Sequence, residues 1–460
     1  MLKIVYLIRI KQFLLLTITI FTGCFATSST QGYVVVLDPG HGGRFIRPPS
    51  VYGDKYDVRF GHYLDKYREG ASYKGLHENI EMYELATRVQ KLLLLTQTSE
   101  GRKKFHEIVK KYNPGATLPS QPIQVFISRA AGYYGEYEEN GIDINGPYRL
   151  YDYPDIKTGK IQKGTISRIN SVRPNLVVSM HLTSGRGGKY GALSAVATPG
   201  YDTYKDALSF ITGDSNKKKA IRKKFVEGAY NDWFNSGCGK DSFEWFLCDA
   251  WIYFTGYWSK SHSLEPDLLK FRGNRYNFLT WAYSDPMWPN SEAIENKSGA
   301  YAEHLKKFKP EGRFWDREKS DPEKWRREGG PEGYGGDNLY AANELLRFVR
   351  YSLYKNGVSK YEKLPRLRKP YLSTWSVPTH VNAISAYLEL AYIDNPHDYR
   401  RIKSYKNVQA EAIAVGIYSL FYGLEYSKSN PQKDFPWGKP IDFSRYQNYN
   451  GSNYFKDVVE

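Results

Sequence analysis

The sequence predicts an α/β fold: a mixed sheet flanked by helices, with a mostly helical and loop insertion. Three observations predict it. Short apolar runs alternate along the chain with runs of helical period. Two apolar runs end in a histidine, one of them inside a glycine-rich turn. Between about 201 and 336 the texture changes to Trp, Tyr, Lys and Asp, and long β periodicity is lost.

The elements follow in order. "GYVVVLDPGHGG" reads as a buried strand stopped by a turn around His41. "HENIEMYELATRVQKLLLL", residues 77–95, reads as a helix whose apolar face carries Ile80, Tyr83, Leu85, Val89 and Leu92. "PIQVFISRA", residues 122–130, is a second strand. "GTISRINSVRP" is a helix stopped by Pro174, because proline lacks the N–H a helix interior needs. "NLVVSMHLTS", residues 175–184, is a third strand and contains His181. "GALSAVATPG" is a fourth. "DNLYAANELLRFVRYSLYKNG" is a helix, with Asp337 as its expected cap and Gly357 as its stop. "NAISAYLELAYIDNP" is a strand over about 382–391 that runs into a loop. "NVQAEAIAVGIYSLFYGL" is the last helix.

This order divides the chain into five parts: 1–24, 32–200, 201–336, 337–425 and 426–460. The first is a signal peptide, with Lys3, Arg9 and Lys11 ahead of an apolar run from Phe13 to Phe21. That run is too short for a spanning helix of ~20 apolar residues. "FTGC" resembles a lipobox, in which Cys24 would carry a lipid and anchor the chain to a membrane; the other reading is an ordinary signal peptide cut near Ala26. The expected location is therefore exported, periplasmic or attached to the cell envelope, where Cys238 and Cys248 are expected to close a short loop rather than remain buried thiols. The last part reads as a wrapping extension.

With 460 residues, 41% of them hydrophobic, the chain can bury a large core. The formal net charge of +16 draws it to polyanions such as nucleic acid, anionic membrane or anionic cell wall. There is no Arg-rich arm, zinc finger or RNA-binding signature, so no nucleic-acid partner is expected. The 16% aromatic content favours stacking on flat or sugar-like ligands, beyond what the core uses.

In open α/β sheets, ligands gather at the carboxyl ends of strands. His41 and His181 stand at two such ends, Glu389 stands near a third, and Glu78 begins the first helix. Two imidazoles and a carboxylate make a three-ligand zinc set that leaves a fourth position for water. A phosphate-binding turn fits less well, because no helix follows the glycines at once.

"VVVLDPGHGG", "HENIEMYELA", "SMHLTS" and "YLELAYIDNP" appear in the order and style of the zinc-dependent N-acetylmuramoyl-L-alanine amidases, the amidase_3 family, which this chain resembles over about 32–200 and 337–425. The resemblance extends to "ISRA" through Arg129 and to "SRINSVRPNLVVSMH". It departs at Thr183, Asn79 and Ala391, where that family usually has Asn, Lys and Gly, and in the large insertion. The resemblance implies a Zn2+ cofactor held by His41, Glu78 and His181, and peptidoglycan as substrate. Glu389 is then the expected general base, with Glu244, Glu344 and Asp38 as lesser candidates; Asp38 is expected to hold the turn. His77 is expected no nearer than the outer layer of the site, and His380 at the surface. "FRGNRYNFLTW" reads first as part of a folded subdomain, and the insertion around it as a lid, a glycan platform or a dock for a protein activator. Two other functions stay open: a catalytically inactive cell-wall-binding protein on the same fold, or a zinc peptidase acting on another amide.

Overall fold

The structure, a computed structural model, describes residues 32–43, 56–57, 62–63, 69–129, 146–150, 153–155, 158, 161–185, 187–197, 215–216, 219–220, 334–360, 363–368, 371–372, 377–381, 383–424 and 435–443. The expected signal peptide, Cys24, Cys238, Cys248, Glu244, "FRGNRYNFLTW" and nearly all of the expected insertion lie outside the described residues.

Seven strands form one mixed sheet: β1 (Tyr33–Pro39), β2 (Ile123–Ile127), β3 (Leu176–Thr183), β4 (Ala192–Ala197), β5 (Arg366–Leu367), β6 (Tyr371–Leu372) and β7 (Ile384–Tyr392). Their order is β5-β4-β7-β3-β1-β2, with β6 also paired to β4. β2, β1, β3 and β7 run parallel, and β4 is antiparallel to β7. Parallel strands are covered on both faces, so they read as continuous apolar runs rather than alternating ones. β3 obeys this, being buried at every residue but Thr183.

The strand period of two then divides the core. Val35, Leu37, Leu176, Val178 and Met180 join one large cluster. It is covered by α1 (Glu78–Leu94), α2 (Ser99–Lys110), α4 (Tyr334–Lys355) and α7 (Lys406–Tyr422). Val36 and Val177 join a smaller cluster with Ile166 and Ile169 of α3 (Thr165–Val172) and with Val377, which opens α5 (Val377–His380). Each fully buried aliphatic side chain contributes ~1.5–3 kcal/mol, so the double coverage is what fixes the strands. Among the described residues no helix is long and apolar enough to cross a membrane.

The expected strands and long helices appear, with three differences. First, the buried face of α1 is Glu78, Met82, Leu85, Ala86, Val89 and Leu93, so Ile80, Tyr83 and Leu92 lie at its margin. Counting only apolar residues hid the fact that a glutamate shares the inner face. Second, α4 begins at Tyr334, which puts Asp337 inside its first turn, where an anion suits the helix dipole. Third, two helices sit where no helix was expected. α2 is mostly polar and needs only Phe105 and Val109 inside, with the Thr98 side chain accepting from Gly101 N–H as its cap. α6 (Pro396–Ser404) starts at Asn395, whose side chain accepts from His397 and Asp398 N–H, followed by proline at its first position.

Residues 435–443 lie along α4 and α7. Phe435 meets Tyr351 edge-on, with ring centroids 4.8 Å apart. Trp437 stacks on Tyr340 at 5.7 Å and lies 4.0 Å from the Arg347 guanidinium. The buried Glu344 carboxyl accepts from Trp437 N–H (3.1 Å) and Gly438 N–H (2.7 Å). Glu344, a lesser candidate for the catalytic base, is thus committed to holding this segment.

Burial pushes the Glu344 carboxyl up to about 7, despite the opposing pull of those two N–H groups and of Arg347. The folded chain therefore keeps a proton that an ordinary glutamate releases near 4.5. Because the folded state binds more protons in that window, stability falls as pH rises from 4.5 to about 7. Glu344→Gln has no such proton to lose. Its melting temperature should decline less than wild type across that window, and parallel declines in the two proteins would refute the assignment.

Candidate metal centre

The site is built where β1, β3 and β7 end. Gly40 N–H donates to Met180 O at 2.8 Å, which carries the β1–β3 ladder into the turn. Asp38 is buried and accepts from Ser128 Oγ (2.6 Å) and Ser179 Oγ (2.8 Å), so it ties the ends of three neighbouring segments together. Arg129 donates through Nε to Pro39 O (3.0 Å) and through a terminal nitrogen to Asn79 O (2.8 Å). One guanidinium thereby fixes the histidine turn to the start of α1. Asp38 and Arg129 position the site without joining it.

His41 has φ 55, in the left-handed region. Such a conformation costs a non-glycine residue ~1–3 kcal/mol and persists only where the surroundings enforce it. The glycines explain how the surroundings come so near. A Cβ on Gly40 would lie 2.3 Å from His181 Nδ1. On Gly70, itself at φ +96, it would lie 2.8 Å from His41 Cβ and 3.0 Å from Glu78 Oε2.

Glu78 is the first residue of α1 and is 1% exposed. Its Oε2 accepts from Ala71 N–H (2.7 Å), and its Oε1 accepts from Leu182 N–H (2.9 Å). Oε1 also lies 2.9 Å from His181 Nδ1 and 3.9 Å from His41 Nε2. Burial pushes this carboxyl up, but the charge of His41, the bond and charge of His181 and the Ala71 N–H prevail and hold it at about 2. His181 is buried at the end of β3, edge-on to His41 at 4.9 Å. Burial would lower its pKa; the hydrogen bond to Glu78 and the charges of Glu78, Glu389 and Asp38 raise it instead.

The donor atoms of His41, Glu78 and His181 all lie within 4.8 Å of one another, a group able to hold a metal ion. Tetrahedral zinc with donors at ~2.0–2.1 Å would space those donors about 3.4 Å apart. The two separations from Glu78 Oε1, 2.9 and 3.9 Å, lie on either side of that spacing, and two nitrogens with one carboxylate oxygen match zinc's preference.

Glu389 lies in β7 directly opposite His181 in the parallel ladder. The residue is partly exposed, yet its Oε2 is buried and makes no hydrogen bond among the described residues. Burial raises its carboxyl to about 7, with Glu78 adding to the rise and His181 opposing it. The sequence reading overlooked Tyr387, whose ring stacks on His181 with centroids 4.2 Å apart and planes 10° off parallel. The signal was available: residues two apart on a strand share a face, so Tyr387 must sit beside Glu389. His77 lies next to the site, with Nδ1 3.0 Å from Ser72 Oγ, and is no member of the metal group.

No family model matches the chain, and no curated protein does. Among solved structures, the chain is similar to N-acetylmuramyl-L-alanine amidase Ami1 from Mycobacterium smegmatis, at 13% identity over 85% of this chain and 97% of that one, with a TM-score of 0.33. It is similar to N-acetylmuramoyl-L-alanine amidase AmiC2 of Nostoc punctiforme, at 12% identity over 85% and 97%, with a TM-score of 0.30. The CwlD amidase from Clostridioides difficile, solved in complex with the GerS lipoprotein, gives 11% identity over 84% and 97%, with a TM-score of 0.29. Likenesses this distant assign no residue and no activity.

Metal binding can be tested both at a donor and beside one. Gly40→Ala forces a methyl into the His181 ring, so its zinc content should fall close to that of His181→Ala. Metal analysis after dialysis against zinc reads both. Full zinc content in His181→Ala would remove His181 from the donor set.

Proposed function

We propose that the protein is a zinc-dependent hydrolase of bacterial peptidoglycan that cleaves the amide bond between N-acetylmuramic acid and the L-alanine of the stem peptide. The observation that carries the chemistry is the junction of a three-donor metal group with Glu389, whose buried Oε2 has no hydrogen-bond partner among the described residues. The substrate rests on the DPGHGG, S-x-H and E-x-x-x-x-x-N-P motifs quoted from the sequence. The basic and apolar segment ahead of residue 24 supports export to the cell envelope, where that substrate lies.

His41, Glu78 and His181 would hold the zinc. When bound, zinc supplies Lewis-acid chemistry, lowering the pKa of water from about 15.7 towards ~7 and polarising a carbonyl oxygen. Glu389 supplies the proton transfers. Ionised, it takes a proton from the attacking water; protonated, it gives that proton to the departing alanine nitrogen. A carboxyl raised to about 7 suits both halves, because neither form is strongly preferred at neutral pH. His41 and His181 keep Glu78 ionised, with help from Ala71 N–H, and the Ala71 and Leu182 N–H groups orient it, so it serves as a donor rather than as a second base. Tyr387 covers one face of the His181 ring and restricts its rotation.

Digestion of purified peptidoglycan by the zinc-loaded protein, followed by mass analysis, should yield free stem peptides and intact glycan. Shortened peptides still joined to glycan would instead mark a peptidase, and an untouched polymer would mark an inactive binder.

Glu389→Gln separates the base from the donors. Zinc content should stay at the wild-type level while turnover falls ~10²–10⁴-fold, the usual share of a general base. The Michaelis constant should move less, since the loss falls on the transition state. Wild-type turnover in the folded, zinc-loaded variant would end this mechanism.

A further inference from the structure

A polar atom sealed inside a protein nearly always has a hydrogen-bond partner, because it has given up water to be there. Three side chains of the large sheet have a buried atom with no such partner among the described residues: Glu389 at Oε2, Ser194 at Oγ and Ser385 at Oγ. Ser385 stands opposite Val177, an apolar residue, in the β3–β7 ladder. Ser194 stands directly opposite Glu389 in the antiparallel pairing of β4 with β7. Two polar groups that each need a partner are therefore neighbours.

Residues directly opposed in an antiparallel pair place their side chains on one face, with Cβ atoms ~4.5–5.5 Å apart. A glutamate side chain spans most of that gap, and one rotamer step of the serine decides whether its hydroxyl faces the carboxyl. Strand parity fixes which face they share. Leu193 and Ala195 of β4 and Leu388 of β7 belong to the large cluster, so Ser194 and Glu389 lie on the opposite face, the face of Val36 and Val177. His181 is on that face too, since Met180 and Val178 point into the large cluster. His181, Glu389 and Ser194 thus form one row across β3, β7 and β4. The row begins at a donor of the metal group and ends at the serine. Ser194 is wholly buried, which puts it out of reach of a polymer substrate.

We propose that Ser194 is the positioning residue of Glu389: its hydroxyl holds the buried carboxyl oxygen and so turns the other oxygen towards the reacting water. The proposal rests on the reading of Glu389 as the general base. The last torsion of a glutamate is broad, so a carboxyl without a fixed partner presents its reactive oxygen only part of the time. A hydroxyl donates equally to a carboxylate and to the carbonyl oxygen of a carboxylic acid. The hold on Oε2 therefore survives while Oε1 takes a proton from water and gives it to the leaving nitrogen.

The test combines a structure with kinetics. A crystal structure of the zinc-loaded protein should place Ser194 Oγ about 2.7 Å from one carboxyl oxygen of Glu389. A separation above about 3.5 Å, or a bond from Ser194 Oγ to another group, overturns the proposal. Ser194→Ala should keep the wild-type zinc content and Michaelis constant while turnover on peptidoglycan falls about tenfold, the order expected for one hydrogen bond to a charged group. Ser385→Ala, at the other buried serine, should turn over like wild type. In the Glu389→Gln background, Ser194→Ala should have no further effect, because the carboxylate it positions is gone. Wild-type turnover in Ser194→Ala overturns the proposal. So does an equal loss in Ser385→Ala, a loss accompanied by lost zinc, or a loss undiminished in the Glu389→Gln background. The crystal structure requires no activity, so it keeps the two ideas apart. The bond in a protein that leaves peptidoglycan uncut keeps the contact standing and the amidase reading fallen; cleavage without the bond does the reverse.

Discussion

The structure turns on one buried carboxylate. Glu78 is almost sealed from solvent, and an isolated ionised carboxylate there would be too costly to keep. It stays ionised because four groups converge on it: two backbone N–H donors, from Ala71 and Leu182, and two imidazoles. Removing any of them leaves charge without a partner. The demand reaches well beyond the site, because Leu182 is on β3, Ala71 is in the segment ahead of α1, and His41 is in the turn after β1. Satisfying one side chain fixes three elements relative to each other.

The sheet supplies the precision this requires. Parallel register puts Asp38 opposite Ser179 and Glu389 opposite His181, so three strand ends finish at one level. Arg129 then joins the histidine turn to α1 through two carbonyls. A small shift in this scaffold would spoil the donor spacing. The strained φ of His41 belongs to the same account: the turn pays for a donor in an unfavourable conformation because its neighbours leave no other.

Much of this was legible in the sequence, for physical reasons. Strands buried on both faces announce themselves as apolar runs, and α7, buried almost throughout, has no polar face to confuse the reading. The gathering of His41, Glu78 and His181 at one sheet edge was legible because two apolar runs end at the histidines and the first helix begins at the glutamate. What escaped was of another kind. α2 was hidden because its inner face is only Phe105, Val109 and a glycine. α6 was hidden because its cap, Asn395, was read as part of the loop after a strand rather than as the start of a helix. Glu344 was ranked as a possible base from its charge alone; its true partners, Trp437 and Gly438 N–H, lie more than ninety residues away, a distance no local pattern spans.

Glu78 and Glu389 show how one fold gives two identical side chains different work. Glu78 is buried whole and Glu389 at its Oε2, and burial pushes both carboxyls up. Glu78 sits at a helix start, with N–H groups and imidazoles aimed at it, and is held at about 2. Glu389 has a buried oxygen with no hydrogen-bond partner among the described residues, lies near the negative charge of Glu78, and is raised to about 7 despite the opposing charge of His181. The separation is self-reinforcing: each group that keeps Glu78 ionised keeps a negative charge near Glu389 and so favours its proton. Pairs of titratable groups driven apart by their surroundings are how acid and base roles are divided at neutral pH. Here the division follows from placement at the ends of secondary structure, since Glu78 is met there by the imidazoles of His41 and His181 and by backbone N–H groups.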